Sequence, residues 1–412
     1  MIDKMKPARL LTPLGIGVAF SLFGDSTLYT VLPKGDIASQ AGISLAMVGL
    51  LLGLNRVARI VSNGPLGMLF DRLPRRPIMV VSLFLGAFST LLYGIGYGPR
   101  ILIFARILWG VCWSGIWIGA NTMVLDIICD EDRGHINGRL QMWFFIGVAL
   151  TNFTGGLFTD MFGYRGGLYL SAGLTLLAAF MWMILLPETR DIRLDESLED
   201  NENSNGVKSF PWKKTFQASY PLFSVRLVFA GVLASTTILW LQQFFDRGII
   251  VANTMIPIAT ATGIFSALRI LISIISAPLS GKLSDLLGRR WLVIVFLFII
   301  GSFGMFLMAS RSIWTTVMGA LLSAITGGGI QAMAPSLIGD SASGKQHGRT
   351  LSIVFTIGDL GSAIGPPLAL FLIPLTGISR VYIYCAFIFI ISLLHAVYLS
   401  IRENSEKNAG PA

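Results

Sequence analysis

Apolar windows of roughly 20 residues recur along almost the whole chain, separated by short polar breaks. Each is long enough to cross a hydrocarbon core ~30 Å thick as a helix. The windows predict twelve spans. In the first half they cover 10–33, 44–70, 77–97, 101–125, 139–162 and 166–187; in the second half they cover 220–245, 256–283, 291–310, 313–338, 349–374 and 379–401. The short alternating segments of an outer-membrane barrel do not occur. The expected fold is therefore all-α and membrane-spanning. Residues 1–187 form one six-helix bundle, 188–219 a linker on the basic-loop side, and 220–412 a second bundle.

The two halves repeat each other. Gly67 to Arg76 reads G-M-L-F-D-R-L-P-R-R, and Gly281 to Arg290 reads G-K-L-S-D-L-L-G-R-R. Aligning the glycines sets an offset of 214 residues (281 − 67), which also pairs Asp71 with Asp285, Asp126 with Asp340, Gly134 with Gly348, Gly147 with Gly361 and Gly163 with Gly377. One offset that holds across each half marks an internal duplication, the usual plan of a secondary transporter.

Composition agrees. The chain is 54% hydrophobic and 13% charged, with mean hydropathy +0.72; soluble chains carry about 25% charged residues. The net charge of +9 sits mostly in alternate short loops, Asp71–Arg76, Asp130–Arg139, Glu188–Lys214, Asp285–Arg290 and Ser341–Arg349. By the positive-inside rule those loops and both termini face the cytoplasm. Nucleic-acid binding is not expected, because no basic–aromatic interleaving lies outside the apolar windows. The first window, preceded by Lys4, Lys6 and Arg9, reads as a retained span rather than a signal peptide. Cys112, Cys129 and Cys385 have neither metal nor redox spacing. No P-loop, metal cluster or nucleophile elbow is present, so neither a cofactor nor an enzymatic reaction is expected.

Two six-span halves, a long central loop, and Gly67, Asp71, Arg72, Arg75 and Arg76 between the second and third spans resemble the major facilitator superfamily. Pro74 stands where the family usually has glycine; the second copy keeps Gly288 but has Leu286 for the first arginine. The resemblance implies a conformational latch. An aspartate at a helix end accepts charge-assisted bonds in one state and releases them in the other. It assigns gating to Gly67, Asp71, Arg72, Arg75, Arg76, Asp126, Gly281, Asp285, Arg289, Arg290 and Asp340. The stretch Gly24-Asp25 to Pro33, and Arg106 four residues before Gly110, are similar to drug/proton antiporters of that family. The fifth span keeps Gly155-Gly156 but lacks the antiporters' Gly-Pro, which occurs instead as Gly365-Pro366 in the eleventh.

Charges inside a bilayer cost roughly 3 kcal/mol each and mark function or pairing. Asp25 and Arg106 are expected to meet and to govern proton coupling, Asp25 holding the proton; a static ion pair is the alternative. Asn55, Arg59 and Asn63 share a helical stripe with Arg56 one turn away, which suits either substrate anchoring or structural bonding. Tyr29, Arg226, Trp240, Gln243 and Arg269 are further candidates for substrate contact. Asp359 is a weaker second acid, expected at a peripheral place. His395 reads as a packed or interfacial residue. Trp109, Trp113 and Trp117 form a stripe that faces a pocket, a neighbouring helix or lipid.

The expected protein is a secondary transporter with a small organic molecule, protons and lipids as its partners, working as a monomer in a bacterial inner membrane. Proton-coupled efflux of amphipathic drugs or metabolites is the leading reading. Movement of an organic anion, siderophore-like or carboxylated, is the alternative favoured by the excess of membrane arginines. A facilitator-fold receptor that does not transport is the third.

Overall fold

A computed structural model describes residues 7–32, 35–127, 132–190, 210–245, 248–251, 254–340 and 346–408. Helices account for nearly all of them. α1 is Pro7–Val31, α2 the short Gly35–Gln40, α3 Leu45–Arg72, α4 Arg75–Ile95, α5 Pro99–Ile127 and α6 Arg133–Leu185. α7 is Trp212–Gln242, α8 Ile258–Leu287, α9 Arg290–Met308, α10 Ile313–Gly339, α11 His347–Thr376 and α12 Ile378–Asn408. α6 holds two spans, divided at Gly163, where φ 74 and ψ 169 break the helix and only glycine is unstrained. Among the described residues nine helices meet the length and apolarity needed to cross a membrane. The chain is an integral, multi-pass membrane protein with an all-α fold.

The helix bounds obey the repeat. Shifting α3 by 214 gives 259–286, against Ile258–Leu287 observed; shifting α5 gives 313–341, against Ile313–Gly339. Three features lie outside the sequence reading. α2 tucks into a cluster of Leu28, Leu32, Ala38, Ala41, Leu51, Tyr93 and Leu102. A hairpin of β1 (Gly248–Val251) and β2 (Thr254–Pro257) joins α7 to α8, pairing Gly248 with Pro257. A π-helical stretch, Leu227–Leu233, interrupts α7. It lies where Gly231 and Gly365 bring two backbones together: a β-carbon on Gly231 would sit 2.7 Å from the Gly365 Cα.

The chain separates into two compact units. One contains Met1–Asp130, Trp143–Thr215 and Ile338–Thr356; the other contains Glu131–Met142, Phe216–Leu337 and Ile357–Ala412. Each unit is thus one repeat half that takes in a short stretch of the other half's sequence. The two exchanged stretches are repeat equivalents, at the starts of α6 and α11.

The ends of the polar linker are built into the fold. Thr189 and the start of α7 at Trp212 belong to the first unit, and the helix begins eight residues before the expected 220. Residues 191–209 lie outside the described set, so the linker's proposed tethering role is untouched there.

Candidate functional site

The first unit carries a buried polar junction where α1, α3 and α5 meet. The Arg106 guanidinium donates to the Asp25 carboxylate as an ion pair. Its Nε donates to the Leu51 carbonyl at 3.1 Å. Asn55 Nδ2 donates to the same Asp25 oxygen at 3.3 Å. Arg106 is 1% exposed and the Asp25 side chain 15%, so the acid is the more accessible member. Gly110 permits this packing, because a β-carbon there would lie 2.8 Å from the Asn55 carbonyl oxygen. A cavity of about 10 Å³, lined by Leu28, Leu32, Leu51, Tyr93, Leu102 and Arg106, adjoins the junction; that is the space of one water. The Tyr93 hydroxyl is buried there without a hydrogen-bond partner among the described residues.

Further along α3, Arg56 and Arg59 are half-buried and neither is without a partner. Asn63 is buried, and Ser62 donates to Ser114 at 2.9 Å. The tryptophan stripe of α5 does not face lipid. Trp109, Trp113 and Trp117 are all buried; Trp113 and Trp117 stack at 5.7 Å and 8°, and Trp117 also meets Phe144 at 5.2 Å and Phe355 at 6.1 Å.

The two aspartates expected to act as latches adopt one geometry twice. In the first unit, Asp71 accepts from the backbone N–H groups of Gly348 and Arg349, at 2.9 and 3.1 Å, at the start of α11. In the second, Asp285 accepts from those of Gly134 and His135, at 3.0 and 2.6 Å, at the start of α6. Donors and acceptors are all related by the offset of 214. A carboxylate at a helix N-terminus is favoured by unpaired amides and the helix dipole together. Each acid reaches its partner because the chain turns sharply after it. Pro74 forces Leu73 into extended backbone, φ −116 and ψ 162; Gly288 makes the second turn at φ 58.

The arginines divide their work differently in the two copies. Arg75 Nε pairs with Asp126 at 3.0 Å, both side chains essentially unexposed. Asp126 also accepts from the Thr189 hydroxyl at 2.9 Å. Asp126 is thus tied to Arg75 within its own repeat, a different pairing from the one Asp71 makes. Arg76 donates to the Met183 carbonyl, and Arg72 is exposed. In the second copy Arg290 pairs with Asp285 at 2.8 Å, Arg289 reaches Asn404 at 2.8 Å, and Asp340 is exposed but partnered. Sequence reasoning missed Glu188, whose carboxylate accepts from the Arg75 and Arg76 amides at 3.0 Å each and caps α4. It also missed Arg349, stacked 4.5 Å over Phe210 and 5.6 Å over Trp212. The acidic residue just after the sixth span and the aromatic pair just before the seventh were the available signals.

In the second unit Arg226 pairs with Asp359 at 2.5 Å. Asp359 is 1% exposed, which corrects the peripheral place expected for it. The pairing gives Arg226 a carboxylate partner within the second unit. Trp240 is buried against Phe244 and Phe265, at 5.4 Å from each. Gln243 is exposed at the end of α7. The Tyr29 side chain lies outside the described residues. His395 packs against Tyr220 and Trp291. Arg269, on α8, lies over the Phe229 ring at 5.6 Å.

Among the described residues no group of three or more His, Cys, Asp or Glu is arranged to hold a metal. Comparison with known proteins gives the arrangement its context. The family model described as Major Facilitator Superfamily matches residues 14–272 and 243–412. The chain is 25% identical to Multidrug resistance protein 2 of Bacillus subtilis over 401 residues, 95% of each chain. It is also 25% identical to the Inner membrane transport protein YajR of Escherichia coli, covering 88% of this chain and 77% of that one. Among solved structures it resembles the human organic anion transporter MFSD10, with TM-score 0.79, 16% identity, and 95% and 99% of the two chains covered. It resembles the E. coli fucose:proton symporter FucP with TM-score 0.68, 14% identity, and 94% and 98% covered.

Proposed function

The chain belongs to the Major Facilitator Superfamily, and we propose that it is a proton-coupled exporter of amphipathic organic molecules. It is a secondary transporter and not an enzyme. The observation that carries the finer reading is the junction of Asp25, Asn55 and Arg106. Asp25 is a carboxylate whose ionised form is held by Arg106. A proton on Asp25 cancels its charge, and with it the ion pair, and frees the helices it ties. Arg106 keeps its charge throughout, so the proton is the variable and the arginine the sensor. The more accessible acid and the sealed arginine suit those two roles. The relative named Multidrug resistance protein 2 supports amphipathic cargo.

The two aspartate latches supply the alternation. Each carboxylate holds a helix start by two backbone N–H groups, and such a contact forms in one state and breaks in the other. With the basic loops in the cytoplasm of a bacterial cell, both latches lie on the cytoplasmic side. One chain carries both halves, so a monomer suffices.

The test uses purified protein in liposomes enclosing a pH dye, with a panel of cationic drugs and organic anions. Proton movement driven by cargo, lost in Asp25→Asn, is the expected result. Cargo-driven movement that persists in Asp25→Asn rejects the assignment. A second reading, transport of an organic anion, is favoured by Arg269 and by the likeness to an organic anion transporter.

A further inference from the structure

Asn55 and Arg269 are repeat equivalents, separated by the offset of 214, yet their surroundings differ in charge. Asn55 donates to the Asp25 carboxylate, itself paired with Arg106. The positions equivalent to Asp25 and Arg106 in the second half are Leu239 and Ala320. The acid has gone, its arginine has been reduced to a methyl group, and a new cation stands where the amide was. Arg269 thus carries a positive charge at a junction from which the repeat's carboxylate is missing.

The geometry agrees. Arg269 makes no ion pair with any described residue, and its Nε is shielded from solvent without a hydrogen-bond partner among them. It lies on the inner stripe of α8, one turn from buried Phe265 on one side and buried Ser273 on the other. The exposed stripe of that helix is Ile264, Leu268, Leu271 and Ile275. The residue as a whole remains partly exposed. At 1.5 Å per residue from Ile258 it lies roughly 16 Å along the helix, near mid-depth. Under the guanidinium is the Phe229 ring, which belongs to the π-helical stretch of α7. Such stretches often mark functional sites. Gly327 leaves room beside the same ring, and the hydroxyls of Tyr382 and Thr236, 3.2 Å apart, lie in the same unit.

An unpaired arginine at membrane depth is costly. A cation–π contact at 5.6 Å offsets part of that cost; a ligand carboxylate offsets far more through a bidentate pair. We propose that Arg269 anchors the carboxylate of an amphipathic substrate, with Phe229 against its apolar part. The proposal rests on the transport reading and narrows its cargo to organic carboxylates.

The experiment is calorimetric titration of purified protein with aryl and alkyl carboxylates, each paired with its primary amide. Wild-type protein is expected to bind a carboxylate about tenfold or more tighter than its amide. In Arg269→Gln the two affinities converge, and Arg269→Lys keeps part of the preference. Equal affinity for acid and amide in the wild type, no carboxylate bound, or a preference that survives in either folded Arg269 variant at full strength would overturn the proposal. Coupling is read separately, by the pH dye in liposomes. Carboxylate binding that depends on Arg269 without proton movement removes the coupling reading and leaves this site. Proton-coupled carboxylate transport that persists in Arg269→Gln removes this site and leaves the coupling.

Discussion

Gly67 and Gly348 approach so closely that a β-carbon on either would lie 2.6 Å from the other's carbonyl oxygen. Their repeat equivalents behave alike: a β-carbon on Gly134 would lie 2.7 Å from the Gly281 carbonyl oxygen. The motif glycine is therefore a spacing device. It brings the start of a helix from the other repeat near enough for Asp71, or Asp285, to take two amides. Gly67→Ala overpacks this contact at a cost of about 1–3 kcal/mol and leaves the unlatched state untouched. Turnover in proteoliposomes should fall several-fold with little change in substrate affinity. A normal rate would mean that the two helices separate freely at this point.

Asp71→Asn tests the charge rather than the spacing. An amide side chain can still accept, but it loses the charge-assisted part, about 1.5–3 kcal/mol for the bonds of an ionised group. The expected outcome is a shift in state populations of about tenfold or more, read as distance distributions between spin labels on the two units. Asp285→Asn should shift them in the same direction. Populations unchanged in both variants would remove the latch role.

Arg106→Gln leaves the Asp25 carboxylate without its cation in a largely buried place. Removing one partner of a buried pair typically costs about 3–5 kcal/mol, so the melting temperature in detergent should drop clearly. Asp25→Asn combined with Arg106→Gln should recover much of the loss, because no charge is left unpaired. A double variant no more stable than Arg106→Gln alone would show that the pair is not the source of the effect.

Asp359 is the control for proton coupling. It is buried and paired with Arg226, but no described feature of the second unit repeats the Asp25 junction. Asp359→Asn is expected to lower stability and to leave cargo-driven proton movement in place. Loss of that movement in a well-folded Asp359→Asn would make it a second coupling acid.

Trp117 is the hub of the aromatic stack, touching Trp113, Phe144 and Phe355. Trp117→Ala removes a fully buried ring, a change that costs about 3–5 kcal/mol. Thermal unfolding should show a large loss of stability, and Trp117→Phe a much smaller one. Equal tolerance of both would place the ring in a yielding environment.

The sequence by itself determined the spans, the duplication and the paired acids Asp71 and Asp285. Backbone groups in hydrocarbon must be bonded within their own segment, so apolar windows have to be helices, and most of their bounds followed within a few residues, the start of α7 and the end of α12 running further. Asp71 and Asp285 were legible because both acids and both donor segments repeat at one offset. Tertiary structure alone decided which charge meets which. Arg75 could have served Asp71, yet it lies against Asp126, 51 positions away; Asp359 joins Arg226 across 133 positions. A helical stripe fixes the face of a residue but not the neighbour that face receives, and several helices could have offered one. Arg269 is the sharpest case. Its identity was plain in the sequence, but that it stands without a carboxylate among the described residues follows only from the helices packed around it.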